Sequence, residues 1–209
     1  PDSLNLEEIL YAATLTNDLN TKLSIYKAAE KMFGSDWRTV NNVGAAYLML
    51  NKLSDAEGQF SKADGMSPNN PVILNNMGIV ARWKGDRKKA MELYAKAGSA
   101  PETKYNTAIC DILNGNYASA VSNFGSYKTF NAALGNVLNA NNDGAVAILD
   151  GSKEKEDALS YYLKAVVGAR KGDDSMVINN LKTAINKDAS FKDKARLDLG
   201  RPAGPIGRD

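Results

Sequence analysis

The amino-acid sequence predicts an all-α fold, a solenoid of about six helical hairpins closed by a C-terminal capping helix. Three observations predict this fold. A small residue recurs after 34 positions, from Gly44 to Gly78. An aromatic ring follows each glycine sixteen residues later, at Phe60 and Tyr94. A turn-forming residue follows most of the recurring positions after seven residues. Periods of roughly 20 to 50 residues are typical of stacked repeats.

The recurring position marks the first helix of each hairpin, where a small side chain lets a second helix approach closely. These anchor positions are Leu10, Gly44, Gly78, Ala108, Ala133 and Ala165. The first helix then ends at a residue that tolerates positive φ. The predicted turn residues are Asn17, Asn51, Gly85, Gly115 and Gly172, with residues 141–144 supplying the turn after Ala133. Since one hairpin cannot bury its own apolar face, stability is expected to come from stacking.

The spacing also divides the chain. The predicted hairpins span about residues 3–36, 37–70, 71–100, 101–125, 126–157 and 158–191. The third and fourth anchor intervals are only 30 and 25 residues long, so truncated helices are expected there. Residues 192–199 read as an amphipathic cap with Ala195, Leu197 and Leu199 apolar, which completes a solenoid over residues 1–199. Residues 200–209 turn to Gly, Pro and Arg and are expected to form a flexible tail.

The segment from Trp37 to Pro68 closely resembles the tetratricopeptide repeat, and the resemblance extends over roughly residues 3–191. It implies a right-handed superhelix whose first helices line a concave groove for a protein or peptide ligand. Val40 and Leu74 depart from the pattern, since the family often has Trp there. The stretches 123–127 and 161–165 are also similar to Bacteroidota envelope proteins that join such repeats to outer-membrane or peptidoglycan-anchoring modules.

The composition argues against catalysis, and the chain is expected not to be an enzyme. It has no histidine, which removes His-based catalysis and His metal ligands. The single cysteine, Cys110, is expected to be a half-buried structural thiol. No phosphate-binding glycine loop is present, and the paired acidic residues, among them Glu154 and Glu156, read as solvated surface charge. No catalytic residue, metal site or cofactor is therefore expected.

One side chain recurs where a ligand would lie. An asparagine precedes four consecutive anchors by two residues, at Asn42, Asn76, Asn106 and Asn131. A carboxamide offers donors and an acceptor, as an extended peptide backbone requires, and some members of the resembling family hold a peptide with such a ladder. The alternative is that these amides only join adjacent hairpins. Neighbouring positions expected to shape selectivity are Asn41, Asn75, Arg82, Trp83 and Tyr105, although Trp83 and Tyr105 could instead be core residues.

These features predict a protein- or peptide-binding scaffold, with a structural spacer of a bacterial envelope protein as the alternative. Lys and Arg number 26 against 24 Asp and Glu, so no nucleic-acid partner is expected. No apolar run reaches the roughly 20 residues that span a bilayer, so no direct membrane insertion is expected. The chain begins at Pro1 and is expected to be a piece of a longer protein. A periplasmic or outer-membrane-associated location is expected, otherwise a cytoplasmic one. The sequence leaves the oligomeric state open.

Overall fold

The computed structural model of the chain describes residues 5–199, and these form thirteen α-helices and no strand. The predicted all-α repeat fold is confirmed. The tail at 200–209 and the start of the first predicted hairpin lie outside the described residues. The helices are α1 (Leu6–Thr14), α2 (Leu19–Met32), α3 (Trp37–Met49), α4 (Leu53–Met66), α5 (Pro71–Trp83), α6 (Arg87–Ala97), α7 (Pro101–Leu113), α8 (Tyr117–Phe124), α9 (Phe130–Leu138), α10 (Asn142–Asp150), α11 (Ala158–Lys171), α12 (Asp174–Lys187) and α13 (Phe191–Leu199).

The chain divides into two compact units, the first ending at Cys110 and the second beginning at Asp111, within α7. In the first unit the helices pair as α1–α2, α3–α4 and α5–α6, and each of the two later pairs also packs on the helix before it. In the second unit the pairs are α9–α10 and α11–α12, flanked by α8 and α13. None of the described helices is long and apolar enough to cross a membrane.

Five of the six predicted anchors are buried, whereas Leu10, in α1, is half-buried. Gly44, Gly78, Ala108, Ala133 and Ala165 are all buried, in α3, α5, α7, α9 and α11 respectively. A Cβ atom added to Gly44 would lie 2.7 Å from Cε1 of Phe60, and one added to Gly78 would lie 2.4 Å from Cε1 of Tyr94. The rings therefore occupy the space that a larger side chain on the first helix would need.

The ring of Phe60 also serves the next hairpin. It lies in one buried cluster with Val40 of its own hairpin and with Ile73 and Val80 of α5. Full burial of a large apolar side chain stabilises the fold by roughly 1.5–3 kcal/mol. The same residue thus closes one hairpin and holds the following hairpin against it.

Four of the predicted turn residues adopt positive φ: Asn51, Gly85, Gly115 and Gly172. The prediction is wrong for Asn17, which does not, since α1 ends earlier, at Thr14. Between α9 and α10 the positive-φ residue is Ala140, at 62°. Its neighbour Asn141 instead caps α10 by accepting a hydrogen bond from the Gly144 backbone N–H.

The short intervals predict truncated helices in the third and fourth predicted hairpins, and of their four helices only α8, with eight residues, is clearly short. The other short helices, α9 and α10 with nine residues each, lie in the following hairpin of the second unit. Its last hairpin packs most closely at Gly168, where an added Cβ would lie 2.9 Å from the Val177 backbone nitrogen. In the capping helix α13 the buried residues are Phe191 and Ala195, and the Phe191 ring contacts that of Tyr162. The expectation for Leu197 is wrong, because its side chain is 73% exposed.

Candidate functional site

The recurring asparagines occupy equivalent places in three first helices of the first unit. Asn42, Asn76 and Asn106 are each the sixth residue of their helix, counted from Trp37, Pro71 and Pro101. All three are half-buried. The position is therefore neither core nor free surface, which suits side chains that both pack and offer polar groups.

Two of these asparagines bond to the preceding hairpin. Asn76 donates its Nδ2–H to Oδ1 of Asn41 at 2.9 Å, joining α5 to α3. Asn106 donates in the same way to Oδ1 of Asn75 at 3.0 Å, joining α7 to α5. Asn41 is only 5% exposed, so its amide lies inside this contact. The amides do join adjacent hairpins, which was the alternative to ligand contact.

These bonds leave part of each amide unused. The Asn75 amide nitrogen and the Asn76 carbonyl oxygen have no partner among residues 5–199. Both residues line a cavity of about 260 Å³ between the first turns of α5 and α7. The other lining residues are Pro71, Val72, Ala100, Glu102 and Thr103. The lining of the cavity thus combines apolar residues with two asparagines, one of which has a free donor group and the other a free acceptor.

Asn42 differs from its two equivalents. Its side chain makes no hydrogen bond to any other residue in the described part of the chain. Asn42 can therefore be changed without breaking a hydrogen bond between hairpins.

Arg82 and Trp83 follow Asn75 and Asn76 on α5 by seven residues, which places each pair on the same helix face two turns apart. Trp83 is 46% exposed and is not a core residue. Arg82 is half-buried, and its Nε atom has no hydrogen-bond partner among the described residues. The face of α5 therefore carries amides near its start and an exposed indole beside a cation at its end.

Tyr105 and Asn131, the remaining predicted site residues, are both half-buried. Tyr105 is the fifth residue of α7, where α3 and α5 have an asparagine. Asn131 is the second residue of α9, because this shortened helix starts only at Phe130. Asn131 therefore lies in the first turn of its helix, whereas Asn42, Asn76 and Asn106 lie one turn further along theirs. Asn131 also belongs to the second unit.

A clamp for a C-terminal carboxylate would require free cations on this surface. Arg38, in the first turn of α3, donates instead to Asp36 and Glu7, with N–O distances of 2.7 and 2.6 Å. Those hydrogen bonds hold the pKa of the Asp36 carboxyl below its usual value. The guanidinium of Arg38 is thus already paired with carboxylates within the chain.

Sequence reasoning missed the first turns of the helices as a place where cavities form. Val72, Glu102 and Thr103 line the cavity but lack the asparagine pattern. The available signal was proline at the first helical position, which fixes where α5 and α7 begin. Glu154 was also misread as solvated charge, since its carboxylate accepts a hydrogen bond from the Phe130 backbone N–H at 2.6 Å. Cys110 is fully buried, more than the predicted half.

Comparison with known proteins agrees with this architecture. No family model matches the sequence. The chain is 25% identical over 158 residues to the BBSome complex member BBS4 of Bos taurus, covering 69% of the chain and 30% of that protein. The chain thus spans less than a third of the length of the curated relatives that it matches.

Two solved structures show the fold over nearly the whole chain. PilF of Pseudomonas aeruginosa superposes with a TM-score of 0.73 at 11% identity, covering 94% of this chain and 97% of PilF. A tetratricopeptide repeat protein from Parabacteroides merdae superposes with a TM-score of 0.64 at 19% identity, covering 93% and 87%. The chain therefore has the tetratricopeptide-repeat fold.

Proposed function

We propose that the first unit binds an extended peptide segment of another protein along the face formed by α3, α5 and α7. The observation that supports this most directly is the cavity between the first turns of α5 and α7. It presents the free amide nitrogen of Asn75 and the free carbonyl oxygen of Asn76. One residue of an extended peptide exposes one N–H and one C=O, which is the complementary set.

The proposed role of each asparagine follows from its contacts. Asn41 positions the Asn76 amide from inside the hairpin contact, and Asn106 does the same for Asn75. Asn42, Asn75 and Asn76 contact the peptide. Val72, 51% exposed, lies at the cavity wall and receives an apolar side chain. The exposed Trp83 and the half-buried Arg82, at the other end of α5, supply further selectivity, since Trp and Arg are enriched among the residues that dominate interfaces.

The amides alone give modest affinity. Neighbouring hairpins lie about 10 Å apart, so three of them span roughly 20 Å, or about six residues of extended peptide at ~3.3 Å each. One hydrogen bond contributes about 0.5–1.5 kcal/mol, which is roughly two- to twelvefold in affinity. Side-chain contacts must therefore provide most of the selectivity.

We propose further that the chain acts without catalysis and without a bound cofactor. The sequence has no histidine, and the thiol of Cys110 is fully buried away from any cavity described above. Both features remove common nucleophile and base arrangements. The location in a bacterial envelope stays a prediction, as does the use of Tyr105 and Asn131 in peptide contact.

The test is selection of binding peptides from a displayed random library on the full chain, followed by affinity measurement by fluorescence polarisation. Val72→Asp should weaken binding at least tenfold, because it places a charge at the cavity wall. It should not disturb folding, since an acidic residue is favoured in a first helical turn. Asn42→Ala should weaken binding about two- to tenfold with unchanged stability.

The matched control is Ile178→Asp, which changes a residue of the second unit with almost the same exposure, 50%. It should bind the selected peptides like the unchanged chain. The proposal is wrong if no peptide can be selected, or if Val72→Asp and Asn42→Ala both leave the affinity unchanged.

A further inference from the structure

A second cavity lies in the second unit, between the first turns of α9 and α11. Its volume is about 140 Å³, and its lining residues are Phe130, Asn131, Glu154, Asp157, Leu159 and Ser160. Its place relative to its helices corresponds to that of the cavity between α5 and α7. Its chemistry differs, because carboxylates and a hydroxyl take the place of free amides.

Ser160 contributes a buried hydroxyl to which no described residue offers a hydrogen bond. Its residue is 1% exposed, and its Oγ has no hydrogen-bond partner among residues 5–199. The Ser160 backbone N–H donates to the Asp157 carbonyl oxygen at 3.0 Å, so only the side chain is left over. A buried polar group without a partner costs about 1–3 kcal/mol. A ligand group in the cavity would satisfy it.

Asp157 is the exception among the aspartates that precede helices. The carboxylates of Asp18, Asp36, Asp86 and Asp173 each accept a hydrogen bond from a backbone N–H in the first turn of their helix. Asp157 precedes α11 but makes no such bond, and it forms no ion pair with any residue that the structure describes. Its carboxylate is thus an unused acceptor at the cavity.

The charges around the cavity select the sign of the ligand. Each helix N-terminus carries the equivalent of about +0.5 charge, which gives about +1 for α9 and α11 together. Glu154 and Asp157 contribute two negative charges. Glu154 is already engaged, since it accepts from the Phe130 N–H and also lines a neighbouring cavity together with Lys128 and Lys153. The Asp157 carboxylate, in contrast, is unused. The cavity therefore favours a cation.

The apolar lining and the volume narrow the class of cation. Phe130 and Leu159 offer apolar surface, which a bare inorganic ion would not use and an alkyl stem would. One water in the liquid occupies roughly 30 Å³, so about 140 Å³ accommodates a chain of about five heavy atoms. A lysine side chain beyond Cα has this length, and its ammonium provides three donors.

We propose that this cavity binds a lysine side chain of a protein partner, with its ammonium group donating to Asp157 and to Ser160 Oγ. The inference rests on the proposed function in so far as the lysine belongs to a bound protein. It concerns the second unit, so it can fail or succeed independently of the peptide surface on α3, α5 and α7.

The experiment uses the full chain and Nα-acetyl-lysine N-methylamide as the probe, titrated at low salt and followed by two-dimensional amide NMR. The Leu159 and Ser160 amide signals should shift with a saturable dependence on probe concentration. The Nε-acetylated analogue and the norleucine analogue should bind at least tenfold more weakly, because neither carries the charge. Equal binding by either analogue overturns the proposal, as does tighter binding by the arginine analogue.

Variants then locate the site. Asp157→Asn should weaken probe binding about tenfold with the fold intact, since this carboxylate makes no hydrogen bond or ion pair within the described chain and Asn is also favoured before a helix. Ser160→Ala should weaken it about threefold. Asp174→Asn, which changes an exposed carboxylate in the first turn of α12, is the control and should bind normally. Unchanged affinity in Asp157→Asn overturns the assignment.

One more variant separates the two proposals. Val72→Asp, designed to block the peptide surface of the first unit, should bind the lysine probe like the unchanged chain. Loss of selected peptides with retained lysine binding supports both sites. Retained peptide binding with normal lysine binding contradicts only the proposed function.

Discussion

The two compact units build the same kind of hairpin from different contacts. In the first unit, the ring of Phe60 or Tyr94 fills the space left by a glycine on the facing helix. In the second unit a ring meets a glycine only between neighbouring hairpins among the described residues, where a Cβ on Gly135 would lie 3.3 Å from the Phe124 ring. Within the last hairpin, α11 meets α12 where Gly168 faces the backbone nitrogen of Val177. Where a ring packs against a glycine, the sequence contains a glycine and an aromatic residue at a fixed spacing. Where a glycine packs against backbone, only the glycine is recognisable, so this contact is harder to predict from the sequence.

The cavities differ in a parallel way. Between α5 and α7 the free polar groups are amides, held in place by hydrogen bonds to the neighbouring helices. Between α9 and α11 they are a carboxylate and a hydroxyl without partners in the described chain. The same place in the fold thus offers neutral recognition in one unit and recognition of a cation in the other. Four measurements can break or sharpen this comparison.

The largest expected effect is a pH dependence that belongs to the first unit. Burial raises the pKa of Tyr94 to about 12, while the Arg82 side chain acts in the opposite direction. The folded pKa lies above the unfolded value of about 10. The contribution of neutral Tyr94 to the free energy of unfolding is therefore complete below pH 10 and is lost as the pH rises towards 12. A difference of about two pKa units at 1.36 kcal/mol per unit gives a loss of up to about 2.7 kcal/mol.

Chemical denaturation of the chain and of Tyr94→Phe between pH 8 and 12 measures this loss. Tyr94→Phe should lose less stability over pH 10–12 than the unchanged chain. At pH 8, Tyr94→Phe should be as stable as the unchanged chain or slightly more stable, because no described residue lies in hydrogen-bonding geometry with the Tyr94 hydroxyl. Parallel pH curves for the two proteins would contradict the assignment.

Adding a methyl group at a closely packed glycine should lower the free energy of unfolding by a similar amount in either unit. Gly78→Ala puts a Cβ 2.4 Å from the Tyr94 ring, and Gly168→Ala puts one 2.9 Å from backbone. Each should lower the free energy of unfolding by about 1–3 kcal/mol through overpacking. Gly58→Ala is the control, since its Cβ would meet nothing within 4 Å inside α4, and it should gain about 0.5–1 kcal/mol. Urea denaturation of the three variants tests this order.

Removing the carboxylate that caps α9 should have a moderate effect, confined to the second unit. Glu154→Ala deletes the acceptor of the Phe130 N–H and should cost about 0.5–2 kcal/mol. Lys155→Ala changes the exposed neighbour and should cost almost nothing. Hydrogen exchange at the first turn of α9 should accelerate in the first variant only. Equal exchange in both would show that Glu154 is solvated, as its sequence suggested.

The smallest expected effect separates two asparagines that look alike in the sequence. Asn76→Ala breaks the bond to Asn41 and should cost about 0.5–1.5 kcal/mol. Asn42→Ala breaks no hydrogen bond within the described chain and should leave the melting temperature unchanged. Thermal unfolding followed by circular dichroism compares them. Similar losses would indicate that Asn42 has a structural role.

The sequence was sufficient for the architecture where packing required a particular residue size. Gly44 and Gly78 were informative because no side chain fits against Phe60 and Tyr94, so the residue type reveals the contact. Gly168 was missed, since the anchor counted by spacing was Ala165, three residues earlier on the same buried face. The end of α1 and the positive φ of Ala140 were also missed, because backbone conformation there does not depend on a glycine or asparagine.

The candidate site was only partly predictable. The recurrence of Asn42, Asn76 and Asn106 identified the helix position, but spacing cannot show that Asn76 bonds to Asn41 and not to its own equivalent. The cavities depend on where each helix begins relative to the next, and α9 begins one turn late. Asp157 and Ser160 could not be predicted as site residues either. They stand out only because their side chains lack hydrogen bonds, and the sequence does not show which hydrogen bonds form.

The hydrogen bonds between amides have a consequence for how such a chain can change in length. Asn41 and Asn75 occupy the same place in successive hairpins, and each accepts a bond from the hairpin that follows. If residues 71–100 were deleted as one 30-residue block, Tyr105 and Asn106 would take the places of Asn75 and Asn76, and Asn106 would face Asn41. The shortened chain would then satisfy the same amides without any compensating substitution. Loss or duplication of a whole hairpin is thus nearly neutral for buried polar groups, whereas a change of even one residue in spacing is not.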